Sequence, residues 1–182
     1  MDTALLLIDI QNDYFPGGTM EVPGSVAAAE RAAALLAACR QRRLSVVHIR
    51  HVSTRPGAGF FLPDTPGATI HDSVAPAAGE TVIVKQFPNG FRDTPLLDHL
   101  RALGTKRLVI GGMMTQMCID ATTRAAFDLG FQCSVAADAC AARPQRFGEL
   151  TVGAADVQAA FLAALDGIYA RVLPGEELIA AL

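Results

Sequence analysis

Three residues of this 182-residue chain combine a reactive side chain with a place where a fold can expose it. Cys118 follows the run Leu108-Val109-Ile110-Gly111-Gly112-Met113-Met114-Thr115-Gln116-Met117, which reads as a strand, a glycine-bearing turn and the start of a helix. Unpaired N–H groups and the dipole at a helix N-terminus favour thiolate over thiol, and the neighbouring amides can bind an oxyanion. Nucleophilic attack is the chemistry this placement suggests. Asp9 ends Leu5-Leu6-Leu7-Ile8, and Lys85 ends Val82-Ile83-Val84. Each sets a charge at the C-terminal end of a buried strand, the edge at which open α/β sheets bind ligands. Taken singly, each also has an ordinary alternative: a space-filling cysteine, a turn carboxylate, a solvated lysine.

The other candidates are plainer. Cys39 belongs to an Ala-rich helix face, Cys133 to a strand and Cys140 to the turn after Asp138, all suited to structural roles. His48, His51, His71 and His99 show no metal-ligand spacing, although His51 ends the second strand and can face a cleft there. Gly111 and Gly112 belong to neither a dinucleotide fingerprint nor a P-loop.

The elements that must position these residues follow from periodicity. Short aliphatic runs at 4–9, 44–50, 81–85, 107–110, 132–136 and 168–173 read as strands, and Ala- and Leu-rich stretches at 25–43, 95–103, 117–129 and 153–165 read as helices. Ser25 is a candidate N-cap of the first helix, with Arg40, Arg42 and Arg43 at its other end. Thr94, Pro95 and Gly104 bracket the second. Strand and helix in alternation imply a three-layer α/β/α, Rossmann-like domain with a mostly parallel six-stranded sheet, spanning 1–182 as one unit.

One stretch breaks the rhythm. Residues 52–80 carry five prolines or glycines between 56 and 66, then Gly67, Pro76 and Gly79, and the three adjacent apolar residues Phe60, Phe61 and Leu62 must be covered by something. A lid, a binding loop or a subunit contact is expected. Together with Pro174 to Leu182 it points to a homo-oligomer, a dimer or tetramer. The formal charge of −3 provides no basic stripe for nucleic acid, and the opening apolar run is too short for a membrane span or a signal peptide. A small-molecule substrate and a cytoplasmic location, with reduced cysteines, are expected.

Three motifs in order resemble the isochorismatase-like cysteine hydrolases, a superfamily with nicotinamidases, N-carbamoylsarcosine amidohydrolases and isochorismatases among its members. They are Asp-Ile-Gln-Asn-Asp-Tyr-Phe at 9–15, Lys-Gln-Phe-Pro-Asn-Gly-Phe at 85–91, and 112–124 around Cys118. The similarity runs from the first strand to about Asp138. It implies that Asp9 is the general base, Lys85 its electrostatic partner and Cys118 the nucleophile. It also implies a cis peptide joining Met113 to Met114, an oxyanion hole from the amides of Met114 and Cys118, and the strand order 3-2-1-4-5-6. In that order the strands ending in Asp9 and Lys85 stand two places apart, roughly 10 Å, a gap that the lysine side chain must span.

The Asp-x-His and further His that hold the nicotinamidase metal are not found here, where the stretch reads His48-Ile49-Arg50-His51-Val52-Ser53. No metal and no cofactor are expected. Tyr14, Phe15, Phe60, Phe61, Asn89, Phe91 and Gln116 are the substrate-contact candidates near the motifs. The resemblance implies cleavage of a C–N bond in a small amide, lactam or carbamoyl compound through a covalent acyl-enzyme. The alternatives are vinyl-ether hydrolysis of the isochorismatase type, which needs an acid but no thiol, and a non-enzymatic thiol sensor or partner-binding protein.

Overall fold

The computed structural model describes residues 2–182. Its strands are β1 (Thr3–Ile8), β2 (Ser45–His51), β3 (Thr81–Lys85), β4 (Arg107–Met113), β5 (Gln132–Ala141), β6 (Gln145–Phe147), β7 (Leu150–Val152) and β8 (Arg171–Leu173). Its α-helices are α1 (Ser25–Gln41), α2 (Leu96–Ala102), α3 (Asp120–Asp128), α4 (Ala154–Leu165) and α5 (Gly175–Ala181). Six strands form one parallel sheet in the order β3-β2-β1-β4-β5-β8. The order matches the expected one, the sixth strand being β8 because a short antiparallel hairpin, β6–β7, intervenes.

β1 is apolar from Ala4 to Ile8 because it is covered on both sides. Leu5 and Leu7 pack toward α1 and α5, whereas Ala4, Leu6 and Ile8 pack toward α2, α3 and α4. Each fully buried leucine or isoleucine contributes about 2 kcal/mol by transfer from water, which fixes the register of the central strands. No helix among the described residues is long and apolar enough to cross a membrane.

Local chemistry departs from expectation in five places. The N-cap of α1 is Gly24, not Ser25: Gly24 adopts φ +79°, its carbonyl accepts from the Ala28 amide, and Ser25 is buried as the first helical residue. The segment after β4 opens as a π-turn, Thr115–Ile119, before α3. Cys140 lies in β5, a ten-residue strand that continues to Ala141 through a β4–β5 register shift, so the turn expected there is absent. Ile168, expected in the last strand, is 69% exposed in the turn before β8. At α2 the N-cap is Pro95, one residue later than expected, and the Thr94 hydroxyl before it accepts from the Leu96 amide at 3.3 Å.

The 52–80 stretch is irregular but held. Gln11, fully buried, uses its carboxamide as a substitute peptide group just beyond β1: its oxygen accepts from the His51 amide (2.7 Å), and its nitrogen donates to the carbonyls of His51 (2.9 Å) and Ala68 (2.8 Å). Asn12 donates to the Pro66 carbonyl, and the Asp13 carboxylate accepts from the Phe61 amide at 2.6 Å. Gly67 packs so closely on that carboxylate that a Cβ would collide with it.

Candidate active site

Neighbouring strands β3, β2 and β1 deliver Lys85, His51 and Asp9 side by side at their C-terminal ends. Asp9 leaves β1 in the left-handed region, φ +51°, with its amide still bonded to the Ile49 carbonyl. On the other flank, Gly112 presses against the Ile8 backbone at φ +133°, where any Cβ would strike the Ile8 carbonyl. Only glycine permits that approach, and it brings the turn bearing Cys118 across the end of β1. The peptide between Met113 and Met114 is cis.

Lys85 reaches over the end of β2 and closes the gap. Its Nζ donates to Asp9 Oδ2 at 2.6 Å and to Cys118 Sγ at 3.3 Å, and it meets His51 Nδ1 at 3.1 Å. The ammonium's three hydrogens therefore have three acceptors. Both members of the Asp9–Lys85 pair have side chains at 0% exposure, so neither charge is tolerable without the other. Asp9 Oδ1 is buried with no hydrogen-bond partner. A carboxylate oxygen of Asp9, His51 Nδ1 and Cys118 Sγ lie within 4.8 Å of one another. These are metal-ligand atoms, but the Lys85 ammonium already engages all three, and a cation of its own charge is what this donor set holds.

The electrostatics follow. Burial works to lower the Lys85 pKa, yet the charges of Asp9 and Cys118 and the hydrogen bonds to both raise it above the ordinary value. Burial pushes the Cys118 thiol up, and the Asp9 carboxylate adds to the rise against the opposing pull of Lys85. Cys118 lies inside the π-turn, not in the first turn of α3, and burial works against the thiolate that a helix terminus favours. Burial, then the Lys85 charge, lowers His51 to about 4 despite Asp9, so its imidazole is neutral near pH 7.

Cys118 opens onto a cavity of about 530 Å³. Tyr14, Phe60, Phe87, Pro88, Met114 and Met117 give it apolar walls, and His51, Ser53, Thr54, Arg55 and Gln86 give it a polar one. Of the expected contacts, Tyr14 and Phe60 line it. The others are engaged elsewhere. Phe15 stacks on His71 at 3.7 Å, Phe61 is buried under Tyr14 at 4.6 Å, and Phe91 stacks on Phe131 at 6.1 Å. Asn89 accepts from the Phe91 amide, and Gln116 is buried with its nitrogen toward Met114 Sδ. Ser53, Thr54, Arg55, Gln86, Phe87 and Pro88 are lining residues that sequence reasoning missed. They follow β2 and β3 at the same sheet edge that singled out Asp9 and Lys85.

Residues 3–167 match the Isochorismatase domain. The chain belongs to the isochorismatase family. It is 47% identical to the isochorismatase family protein YddQ of Bacillus subtilis over 98% of this chain and 99% of that one. Maleamate amidohydrolase of Pseudomonas putida is 37% identical over 71% of this chain and 67% of its own. The crystal structure of a protein from Oleispira antarctica assigned as an isochorismatase hydrolase superposes with a TM-score of 0.95 at 54% identity, covering 98% of this chain and 96% of that one. The chain is thus a hydrolase of this family, with a fold and sheet order shared with its solved members.

Proposed function

We propose that the protein hydrolyses a C–N bond of a small amide, lactam or carbamoyl compound, with Cys118 as nucleophile, Asp9 as general base and acid, and Lys85 as the charge that keeps Asp9 ionised. The observation that carries this reading is the unequal use of the Asp9 carboxylate: Oδ2 is taken by Lys85 and Oδ1 is buried and unpaired, in a carboxylate that has an oxygen within 4.8 Å of Cys118 Sγ. An orphaned buried acceptor is costly, and next to a proton donor it is a base ready for use.

The steps balance in protons and bonds. Asp9 takes the thiol proton as sulfur bonds to the carbonyl carbon, and the negative charge on oxygen is received by the amides of Met114 and Cys118. As the C–N bond breaks, the Asp9 carboxyl gives its proton to the leaving nitrogen. Water then attacks the thioester, Asp9 takes a proton from it, and as the C–S bond breaks and the acid leaves Asp9 returns that proton to sulfur. Maleamate amidohydrolase, an amidohydrolase by name, is a relative whose name supports C–N bond hydrolysis here. A proton relay through one carboxylate needs no further ionisable group, and the high thiol pKa is consistent with deprotonation coupled to attack.

The test is a screen of amides, lactams and carbamoyl compounds against the wild type, Cys118→Ala and Asp9→Asn, with mass spectrometry of the quenched enzyme. Turnover by the wild type, an acyl adduct on Cys118, and loss of activity by a factor on the order of 10⁴ in Cys118→Ala are expected. Hydrolysis that survives Cys118→Ala would move the reading to ether cleavage by Asp9 alone.

A further inference from the structure

We propose that His51 and Arg55 form a subsite for a carboxylate of the substrate, so that the amide hydrolysed also carries an acid group. This rests on the C–N hydrolysis reading of Cys118.

Charge is the first argument. Asp9 and Lys85 cancel as a buried pair and Cys118 is a neutral thiol, so Arg55 is the one formally charged residue among those described that line the cavity. Arg31, Arg40, Arg92, Arg107 and Arg124 each have a carboxylate partner. Arg55 has none among the described residues. A cation on the polar wall of a small cavity whose other walls are apolar favours an anionic occupant.

His51 supplies the second. Lys85 Nζ is a donor only, so His51 Nδ1, 3.1 Å away, must accept and the ring proton sits on Nε2. Nε2 has no partner among the described residues, and the ring lines the cavity. Its N–H is therefore a donor for a bound molecule. The donor is also held in place: Gln11, itself fully buried, grips both the amide and the carbonyl of His51. A planar guanidinium and an imidazole N–H, four residues apart on one wall, suit the two oxygens of a carboxylate. The apolar walls from Tyr14, Phe60 and Phe87 leave room for a short carbon skeleton between that carboxylate and the carbonyl at Cys118.

Iodoacetate and iodoacetamide test this without a known substrate. They share a leaving group and nearly a size, and differ in carrying a carboxylate or a primary amide. In either case sulfur displaces iodide and the thiol proton passes to Asp9. The readout is the rate of Cys118 labelling by each reagent, expressed as a ratio and compared with the same ratio for glutathione.

The iodoacetate-to-iodoacetamide ratio is expected to exceed that of glutathione by about tenfold, and Arg55→Ala to bring it down by about as much. Arg101→Ala, an equal change of charge on α2 outside the cavity lining, should leave the ratio at the wild-type value. His51→Gln, whose carboxamide can still accept from Lys85 and donate outward, should keep most of the preference, and His51→Leu should lose it. Unfolding midpoints for each variant identify any that fail to fold. A wild-type ratio equal to that of glutathione, or one that Arg55→Ala does not move, overturns the subsite while leaving amide hydrolysis standing. Failure of both reagents to label Cys118 removes the nucleophile, and the subsite with it.

Discussion

Two carboxylates act as hubs, Asp9 just after β1 and Glu80 just before β3, each with a cation and with a histidine of β2 close by, and they are built for different ends. Glu80 has both oxygens occupied: Arg40 holds it bidentately at 2.7 and 2.8 Å, and His48 Nε2 and the Ala77 amide complete the set at 2.9 and 2.8 Å. Asp9 is more deeply buried, yet one of its oxygens has no partner. A satisfied hub ties α1, β2 and the start of β3 together. An unsatisfied one, placed beside a thiol and a cavity, holds capacity for proton transfer that folding alone does not require.

The sharpest way to break the comparison is to remove one charge from each hub. Lys85→Ala leaves Asp9 buried and uncompensated and is expected to cost about 3–5 kcal/mol in urea unfolding. At the other hub, Glu80→Gln loses charge-assisted bonds near the surface and should cost about 1–2 kcal/mol with catalysis retained. Equal losses would mean that the two hubs do the same job.

Acid titration should separate them next. The unfolded imidazole of His51 takes a proton near its ordinary 6.5, while burial and then the facing Lys85 charge, opposed by Asp9, keep the folded ring neutral to about 4. The unfolded chain thus binds more protons in that window, and stability falls as pH falls from 6.5 toward 4. His51→Gln should flatten this part of the curve. Glu80 behaves as a carboxylate held down to about 2 by Arg40 first, against partial burial, and by the Ala77 amide and His48. Its contribution is present above about 4.5 and is lost as pH falls toward 2, and Glu80→Gln should lack that loss.

The smallest effect is expected at Cys133. Burial alone raises its thiol to about 12, and its Sγ faces the carbonyls of Phe131 and Thr123, not a carboxylate. Cys133→Ala should cost about 1 kcal/mol and leave the extent of iodoacetamide labelling unchanged, since that label sits on Cys118. Labelling of Cys133 itself would show that a neighbouring base is not what makes a buried thiol react in this protein.

What was legible in the sequence shares a physical signature. Apolar runs that end in a charge gave β1 with Asp9 and β3 with Lys85, and a strand followed by glycines gave β4 with the turn to Cys118. Alternation of strand and helix gave the three layers. The partnership of His51 with Lys85 depends on their being paired across neighbouring strands, a relation between distant segments that spacing along the chain does not reveal. Phe15, Phe61 and Phe91 were read as contacts because aromatics near a motif suit a ligand; in the fold they suit the core better. The β6–β7 hairpin has three residues per strand, too few for a period to register.

The close of the 54–60 span has a use for protein engineering. The Ser53 amide bonds to the Phe61 carbonyl at 2.8 Å, and the Phe61 amide is fixed by Asp13, so the span leaves and re-enters the body at two tethered points. Doubling the length of such a loop costs only about 0.6 kcal/mol in closure entropy. Arg55 and Phe60 both reside on it. The span is a replaceable cassette: grafting a different sequence between Ser53 and Phe61 would change what the cavity admits while the Asp9, Lys85 and Cys118 constellation, built on β1, β3 and the turn after β4, keeps its shape.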